Sequence, residues 1–191
     1  MKTLGRAVIR RFDAFLCRCL GVYEFSSDAE CILRVQKAVA ARPLNLPGGV
    51  IPKGAAVLKI HLWNEHVPPM PAAGPDLAWA AHVSRCFVRS LHSVAGLLRK
   101  DPSLTGARAV GGVTVLLPTE GRSGSTALMK RLGFTILPYH NPLGSFSEFW
   151  ENLYTWGLMW AYNPISLQHH QFFRLHRAEI WMPIENFLAR F

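Results

Sequence analysis

The order of apolar patterns in the middle of the chain constrains the fold most. Residues 56–62 alternate between apolar and polar side chains, which is typical of a half-buried β-strand. Residues 77–99 repeat apolar side chains at helical spacing, and residues 109–117 form a short aliphatic run typical of a buried central strand. Strands that alternate with helices build layered domains with parallel pairing. The sequence therefore predicts an α/β (α+β layered) fold with a central mixed sheet and flanking helices.

Individual residues mark where these elements end. Asp76 is a suitable N-cap for the long helix, and Arg99 suits the negative end of its dipole. A short helix is predicted over residues 126–132, because Gly133 after it is the expected left-handed residue of a helix end. A strand over residues 134–137 follows. We therefore expect the order strand, long helix, strand, short helix, strand.

The length of 191 residues fits one domain, and we predict a single domain over residues 1–191. Half of the residues are apolar, which supplies a core and excludes a disordered chain. The predicted parts are an amphipathic N-terminal helix over 1–20, an α/β core over 22–139, a long aromatic helix over 145–162, and a terminal strand and helix over 179–191.

Residues 1–20 combine an apolar stripe with basic side chains. The stripe consists of Leu4, Val8, Ile9, Phe12, Phe15, Leu16 and Cys19, and the other side carries Lys2, Arg6, Arg10 and Arg18. A basic amphipathic helix is typical of an anchor that lies on a membrane surface. The alternative is a first helix that packs its stripe on the core and leaves its arginines in solvent.

The charge balance favours an anionic partner. The chain has 21 Lys and Arg against 12 Asp and Glu, a net charge of +9. We predict an anionic lipid surface or a phosphorylated lipid or glycan precursor as the partner, and no nucleic acid, because the basic residues are scattered. The predicted membrane contacts are Arg6, Arg10, Arg11, Trp156 and Trp160. A basic stretch that includes His176 and Arg177 is a further candidate, with solvated loop charge as its alternative.

The chain lacks the pattern of a secretory leader or of a membrane span. Arg6, Arg10 and Asp13 interrupt the first apolar segment, and residues 152–173, the longest stretch without charge, contain a proline and several polar side chains. Cys17, Cys19, Cys31 and Cys86 lack zinc-site spacing, and we predict reduced, mostly buried thiols. These features predict a cytoplasmic protein, peripheral on the inner face of the cell membrane.

The densest polar cluster follows the strand over residues 56–62. We predict His61, Glu65 and His66 as catalytic residues, the histidines as general bases with Glu65 or Asp76 orienting one. Trp63, Asn64 and Asp76 are the predicted substrate-binding residues, because ligands of α/β sheets bind beyond the carboxyl ends of strands. The alternative is a polar loop with one hydrogen-bonded histidine. No metal site is expected, since the two histidines lack standard ligand spacing.

A second candidate site is the loop before the short helix. Its predicted cofactor-binding residues are Gly121, Arg122, Ser123, Gly124 and Ser125. Backbone N–H groups at a helix N-terminus favour an anion, so the loop could hold a phosphate, although the ending of a P-loop is absent. A polar loop with a helix cap is the alternative.

The run from Ala127 to Ile136, with Arg131-Leu-Gly-Phe134 at its centre, resembles the last motif of the GNAT N-acyltransferase superfamily. The resemblance covers residues 61–139 and implies a GNAT-like core and acyl-CoA as a cofactor. Two features depart from that pattern. The segment after the strand, beginning at Asn64, does not match the pyrophosphate-binding motif, and Met129 stands where many members have a tyrosine acid.

A second resemblance covers nearly the whole chain. Residues 51–64, which contain Ile-Pro-Lys-Gly and Lys-Ile-His-Leu-Trp-Asn, the Arg131-Leu-Gly-Phe134 turn, and the aromatic helix ending in Tyr162-Asn-Pro164 are similar to the YkoP-like domain. That bacterial family occurs alone or fused to polysaccharide deacetylases. The resemblance implies a link to envelope glycans or glycolipids and gives no mechanism.

Two functions are compatible with these features. The first is a GNAT-related acyltransferase that acts on an envelope lipid or glycan precursor at the cytoplasmic membrane surface. The second is a non-catalytic peripheral membrane module that positions a glycosyltransferase or a polysaccharide deacetylase.

Overall fold

The computed structural model describes residues 2–116, 124–140, 144–169 and 176–191. The helices are α1 (Lys2–Leu20), α2 (Leu77–Lys100), α3 (Gly124–Arg131), α4 (Gly144–Tyr162) and α5 (Ile184–Arg190), with short 3-10 turns at Pro102–Leu104 and Pro164–His169. The strands are β1 (Val22–Tyr23), β2 (Leu33–Val39), β3 (Leu44–Leu46), β4 (Gly49–Ile51), β5 (Ala56–Leu62), β6 (Ala109–Leu116), β7 (Thr135–Pro138) and β8 (His176–Pro183).

Six strands form one mixed sheet in the order β1-β2-β5-β6-β8-β7. Strands β5 and β6 run parallel, with Leu58 beside Val110 and Lys59 beside Gly111, and the other described pairs of this sheet are antiparallel. The layered α/β fold, the mixed sheet and the parallel pairing are therefore confirmed. The order β5, α2, β6, α3, β7 is also confirmed, and β8 lies between β6 and β7.

One face of the sheet is an apolar core beneath α2. Leu58 and Ile60 of β5 pack there with Leu91 and Val94 of α2, and Phe187 of α5 closes the same core. Asp76 caps α2 as expected, since its carboxylate accepts a hydrogen bond from the Trp79 backbone N–H at 2.7 Å. Gly133 ends α3 with φ of 90°, the left-handed conformation predicted for it.

The opposite face is covered in two parts. The β3–β4 hairpin covers one end, where Leu44, Leu46 and Ile51 pack with Val57 and Trp181. The sequence analysis did not resolve these two short strands, because each has three residues. The predicted last strand over 179–182 is longer than expected and begins at His176, where it pairs with Leu116.

Helices α1 and α4 cover the other end of this face and run antiparallel. Gly5 meets Trp160, Ile9 meets Gly157, and farther along α1 the side chain of Tyr154 reaches α1 again. A Cβ atom at Gly5 would lie 2.8 Å from the Trp160 ring, so the glycine permits this close approach. None of the helices in the described ranges is long and apolar enough to span a membrane.

The apolar stripe predicted for α1 divides between two sides of the helix. Ile9 and Leu16 turn inward and are half-buried. The outer face of α1, defined by Leu4, Val8, Phe12 and Phe15, is exposed by 71%, 59%, 51% and 59%. The buried side carries Asp13 instead, at 6% exposure. The expectation of a single apolar seam is therefore wrong, because α1 packs through a partly polar side.

The cysteines also depart from expectation. All four are unpaired, but only Cys31 and Cys86 are buried, whereas Cys17 is half-buried and Cys19 is exposed. Across the ranges that the structure covers, no three His, Cys, Asp or Glu side chains come together to hold a metal ion.

Candidate functional site

A cavity of about 440 Å³ lies between the sheet and the helices α1 and α4. The sheet contributes His61 and Leu62 from the carboxyl end of β5, and Val113 and Thr114 from the second half of β6. These strands form the parallel pair, and ligands of α/β sheets bind beyond the carboxyl ends of such strands. The cavity therefore lies where the fold class favours a ligand.

The cavity wall combines seven apolar residues with seven polar residues and one thiol. The apolar lining residues are Leu16, Leu20, Val22, Leu62, Val113, Leu158 and Met159. The polar lining residues and the one thiol are Asp13, Cys17, Arg34, His61, Asn64, Thr114, Tyr154 and Thr155. Small-molecule sites combine apolar surface with polar groups that orient the ligand, and this wall offers both.

An ionic group lies at the cavity and is here called the Arg34 cluster. It consists of Arg34, Asp13, Glu24 and Glu65. The Arg34 guanidinium lies 3.6 Å from Asp13 Oδ2, 3.3 Å from Glu24 Oε1 and 3.5 Å from Glu65 Oε2. The side chains of Arg34 and Asp13 are only 10% and 9% exposed. Because buried charges need partners, this cluster ties α1 to the sheet.

Trp63 is buried beside the Arg34 cluster and holds two predicted site residues. Its indole N–H donates to Glu65 Oε2 at 3.3 Å, and its ring stacks on His66 with 3.5 Å between ring centroids. The Arg34 guanidinium lies 4.9 Å from the Trp63 ring centroid. His66 Nδ1 donates to the carbonyl oxygen of Cys31 at 3.0 Å. These contacts fix the positions of Trp63, Glu65 and His66 in the folded protein.

A chain of hydrogen bonds fixes the tautomer of His61. Gln36 Nε2 donates to the carbonyl oxygen of Leu20 at 2.7 Å, and that oxygen can only accept. Gln36 Oε1 therefore faces His61 Nε2 at 3.0 Å, so Nε2 carries the proton. Burial, with a smaller contribution from Lys59, lowers the pKa of His61 to about 4. At neutral pH the ring is uncharged, and Nδ1 is left as an acceptor.

Two tyrosines of α4 hold carboxylates of the Arg34 cluster. Tyr154 donates its hydroxyl hydrogen to Asp13 Oδ1, and Tyr162 donates to Glu65 Oε1 at 3.2 Å. Burial and these carboxylates raise the pKa of both phenols. Both hydroxyls are therefore protonated donors at neutral pH, and they connect α4 to the cluster.

The structure brings part of the predicted catalytic and substrate-binding set to the cavity. His61 and Asn64 line it, whereas Glu65 belongs to the Arg34 cluster. Asp76 is exposed at the N-terminus of α2, does not line the cavity, and its carboxylate is engaged as the helix cap. The catalytic and substrate-binding roles of these residues stay predictions.

The predicted phosphate loop is only partly described. Gly121, Arg122 and Ser123 lie outside the described residues, and Gly124 and Ser125 begin α3, although the Ser125 side chain is not described. Cofactor binding at this loop stays a prediction. Met129 of α3 packs against the apolar core beneath α2.

The predicted membrane contacts divide between the inside and the outside of the α1–α4 pair. The Arg6 guanidinium lies 5.7 Å from the Trp160 ring centroid, and that of Arg10 lies 5.0 Å from the Tyr162 ring centroid. Arg11 is exposed beside the outer face of α1, and Trp156 is half-buried. Arg177, from the basic stretch, is 6% exposed in its side chain and contacts Glu151 at 3.4 Å and two further residues of α4.

Sequence reasoning missed several residues that build the site. Arg34, Gln36 and Tyr154 were not singled out, and Asp13 was noticed only as an interruption of an apolar segment. A usable signal existed for Arg34, which stands inside the apolar run of residues 31–35. A charged residue in such a run is buried and needs a partner of opposite charge.

The geometry favours binding over proton abstraction. His61 lines the cavity, and a base with a pKa of about 4 is weak at neutral pH. Arg34 and Asp13 neutralise each other in part. The site offers hydrogen bonds and apolar contact to a ligand.

Comparison with known proteins identifies the family. The chain matches the profile described as the YkoP domain over residues 2–191. No curated protein and no solved structure matches it. Because the match spans almost the whole chain, the protein belongs to the YkoP domain family.

Proposed function

We propose that this protein is a peripheral membrane module that docks on an anionic lipid surface through the outer face of α1. The observation that carries the proposal is the orientation of α1, which buries Asp13 and exposes Leu4, Val8, Phe12 and Phe15. At about 100° per residue, these four side chains fall within an arc of about 80°, opposite Asp13. Contiguous exposed apolar side chains are typical of interaction surfaces.

Charge selects a lipid surface as the occupant of this face. Arg11 and Arg18 are exposed and lie within about 40° of the edge of the apolar arc. Asp13, the one acidic residue of α1, is turned inward to Arg34. An apolar arc flanked by arginines suits an interfacial helix, whose apolar side chains enter the bilayer boundary while its arginines meet anionic head groups.

The test is co-sedimentation of the full chain with vesicles of phosphatidylcholine, with and without phosphatidylglycerol. We expect binding only when the anionic lipid is present. Arg11→Glu/Arg18→Glu should weaken it about thirtyfold or more, because each basic residue near the surface contributes about 1 kcal/mol. Phe15→Ser should weaken it about tenfold or more through lost apolar burial.

Matched controls separate this face from general charge and hydrophobicity. Lys53→Glu/Lys130→Glu makes the same charge change at exposed sites away from α1, and Leu77→Ser removes an apolar side chain that is 90% exposed on α2. Both should bind vesicles like the parent chain. Equal binding to neutral vesicles, or concentration-dependent dimerisation abolished by Phe15→Ser, would contradict lipid docking; the second result would assign the face to another copy of the chain.

The acyltransferase is the second candidate. The order β5, α2, β6, α3, β7 and a cavity at the carboxyl ends of β5 and β6 favour it, with His61 as the base and acyl-CoA held by Gly121–Ser125. The low pKa of His61 weighs against it. Its test is a thermal-shift screen with free CoA and acyl-CoAs, since a ligand of the folded state must raise the melting temperature. A shift that Arg122→Ala abolishes would support the transferase, and no shift with any CoA would reject it.

A further inference from the structure

The cavity under α1 and α4 has the size and wall of a binding site for one apolar chain. Its volume of about 440 Å³ lies within the range of about 300 to 1,000 Å³ seen for small-molecule sites. Leu16 and Leu20 of α1 and Leu158 and Met159 of α4 line it, with Leu20 at the solvent-exposed end. Such a wall favours a hydrocarbon chain, because burying apolar surface provides the binding free energy.

The charges in the wall disfavour an anionic head group. Arg34 is the permanent cation among the described lining residues, and three carboxylates already surround it. Asp13 lines the same cavity. A phosphate or carboxylate placed here would meet a guanidinium whose charge three carboxylates already offset, and it would lie near the buried Asp13 carboxylate, which is unfavourable at low dielectric constant.

One polar group that the wall can recognise is a hydrogen-bond donor. Gln36 fixes the proton of His61 on Nε2, so Nδ1 of the uncharged ring accepts. Within the described part of the chain, we find no hydrogen bond to His61 Nδ1. Asn64 and Thr114 line the cavity with His61 and add amide and hydroxyl groups.

We propose that this cavity binds an uncharged single-chain amphiphile, with the chain along the apolar wall and a hydroxyl hydrogen donated to His61 Nδ1. The proposal stands apart from membrane docking, since it uses the inner side of α1 and no residue of its outer face. It is also distinct from acyl-CoA binding, which requires a site for a charged pyrophosphate.

The test is titration calorimetry of the full chain with decanol, decanoate and decyl phosphate, without vesicles and below the aggregation concentration of each. We expect decanol to bind at least tenfold more tightly than either anion. His61→Leu should weaken decanol binding about two- to tenfold, as expected for one lost hydrogen bond. The same variant should leave the affinities for decanoate and decyl phosphate unchanged, because neither carries the alcohol hydroxyl.

Two variants with the same substitution test whether filling the cavity blocks decanol binding. Leu158→Trp places a larger side chain in the cavity, and Leu153→Trp makes the same change on the exposed side of the same helix, where Leu153 is 44% exposed. Leu158→Trp should lose at least tenfold in decanol affinity, and Leu153→Trp should bind like the parent. Val113→Phe occludes the cavity from the sheet and serves if Leu158→Trp fails to fold, as judged by circular dichroism.

The outcomes separate this proposal from docking. Arg11→Glu/Arg18→Glu should keep decanol binding, and Leu158→Trp should keep vesicle binding. No binding of decanol, an equal or higher affinity for an anion, or unchanged affinity in both occluding variants overturns the proposal. Loss of vesicle binding with decanol binding intact overturns only the docking function.

Discussion

Helices α1 and α2 have the same kind of amphipathic sequence and opposite orientations. Helix α2 turns its apolar side to the sheet, where Leu91 and Val94 are fully buried. Helix α1 turns Asp13 to the sheet and exposes Leu4 and Phe15 by 71% and 59%. The apolar period of a helix shows that it has two sides, but not which side the protein buries.

The sheet decides between the two orientations. Strand β5 presents Leu58 and Ile60 on the face beneath α2, which only an apolar helix side can cover. On its other face β5 presents His61, and the neighbouring strand presents Arg34 directly opposite it. A buried guanidinium needs a carboxylate, so α1 docks through Asp13 and leaves its aromatic side outside.

The largest expected effect tests this ionic attachment. Arg34→Met should lower the free energy of unfolding by about 3 to 5 kcal/mol, because it leaves the Asp13 carboxylate buried without its cation. Arg89→Met on α2 is the matched control, since the Arg89 side chain is 57% exposed and its ion pairs contribute at most about 1 kcal/mol. Urea denaturation measures both. Equal losses would show that α1 is not held by a buried charge.

The next largest effect compares the same substitution in the two helices. Leu91→Ala in α2 should cost about 2 to 5 kcal/mol through lost burial and the cavity that it leaves. Leu4→Ala in α1 should change stability by less than about 0.5 kcal/mol, because that side chain is largely in solvent. Urea denaturation of both variants gives the two numbers, and a comparable cost at Leu4 would contradict an exposed outer face.

Acid should lower the free energy of unfolding through His61, which lies on the face of the sheet that α1 covers. The pKa of His61 is about 4 in the folded protein and about 6.5 when unfolded, so below pH 6.5 the unfolded chain binds a proton that the folded chain does not. Stability should therefore fall from pH 7 to pH 5 by about 2 kcal/mol from this group.

The variant His61→Leu isolates this contribution. The difference in unfolding free energy between parent and variant should change with pH over this window and level off near pH 4, where the folded protein also binds the proton. Denaturation series at several pH values measure it. A difference that is constant from pH 7 to pH 5 would show that His61 is not buried in its neutral form.

The smallest expected effect concerns the cap of α2. Asp76→Ala should cost about 1 kcal/mol of stability, since it removes the acceptor for the Trp79 backbone N–H. Binding of vesicles and of decanol should stay at the parent level, because Asp76 lies away from the outer face of α1 and does not line the cavity. A selective loss of decanol binding at unchanged stability would support the prediction that Asp76 binds substrate.

Local signals predicted much of the fold. Strand β5 has the predicted bounds, α2 is one residue longer than predicted, and both Asp76 and Gly133 act as caps. These features depend on neighbours in the chain, so periodicity and capping chemistry find them. The strands β3 and β4 were missed because each has only three residues, and the early start of β8 was missed because pairing with the distant strand β6 defines it.

The candidate site was only partly predictable for the same reason. His61 and Asn64 were found because polar residues follow a strand in sequence. Asp13 of α1 and Tyr154 of α4 line the cavity, Gln36 of β2 bonds His61 beside it, and no local pattern joins them. Their contacts span up to 141 positions of the chain.

The sequence by itself determined the layered α/β class, the two amphipathic helices and the basic charge, because each follows from local composition and spacing. It also determined the family, through a match over nearly the whole chain. Only the tertiary structure decided which side of α1 is buried and which nitrogen of His61 carries the proton. It also decided that a cavity lies between the sheet and the helices α1 and α4. Those outcomes depend on pairing a buried charge and on satisfying buried hydrogen-bonding groups, and both are properties of residues brought together from distant parts of the chain.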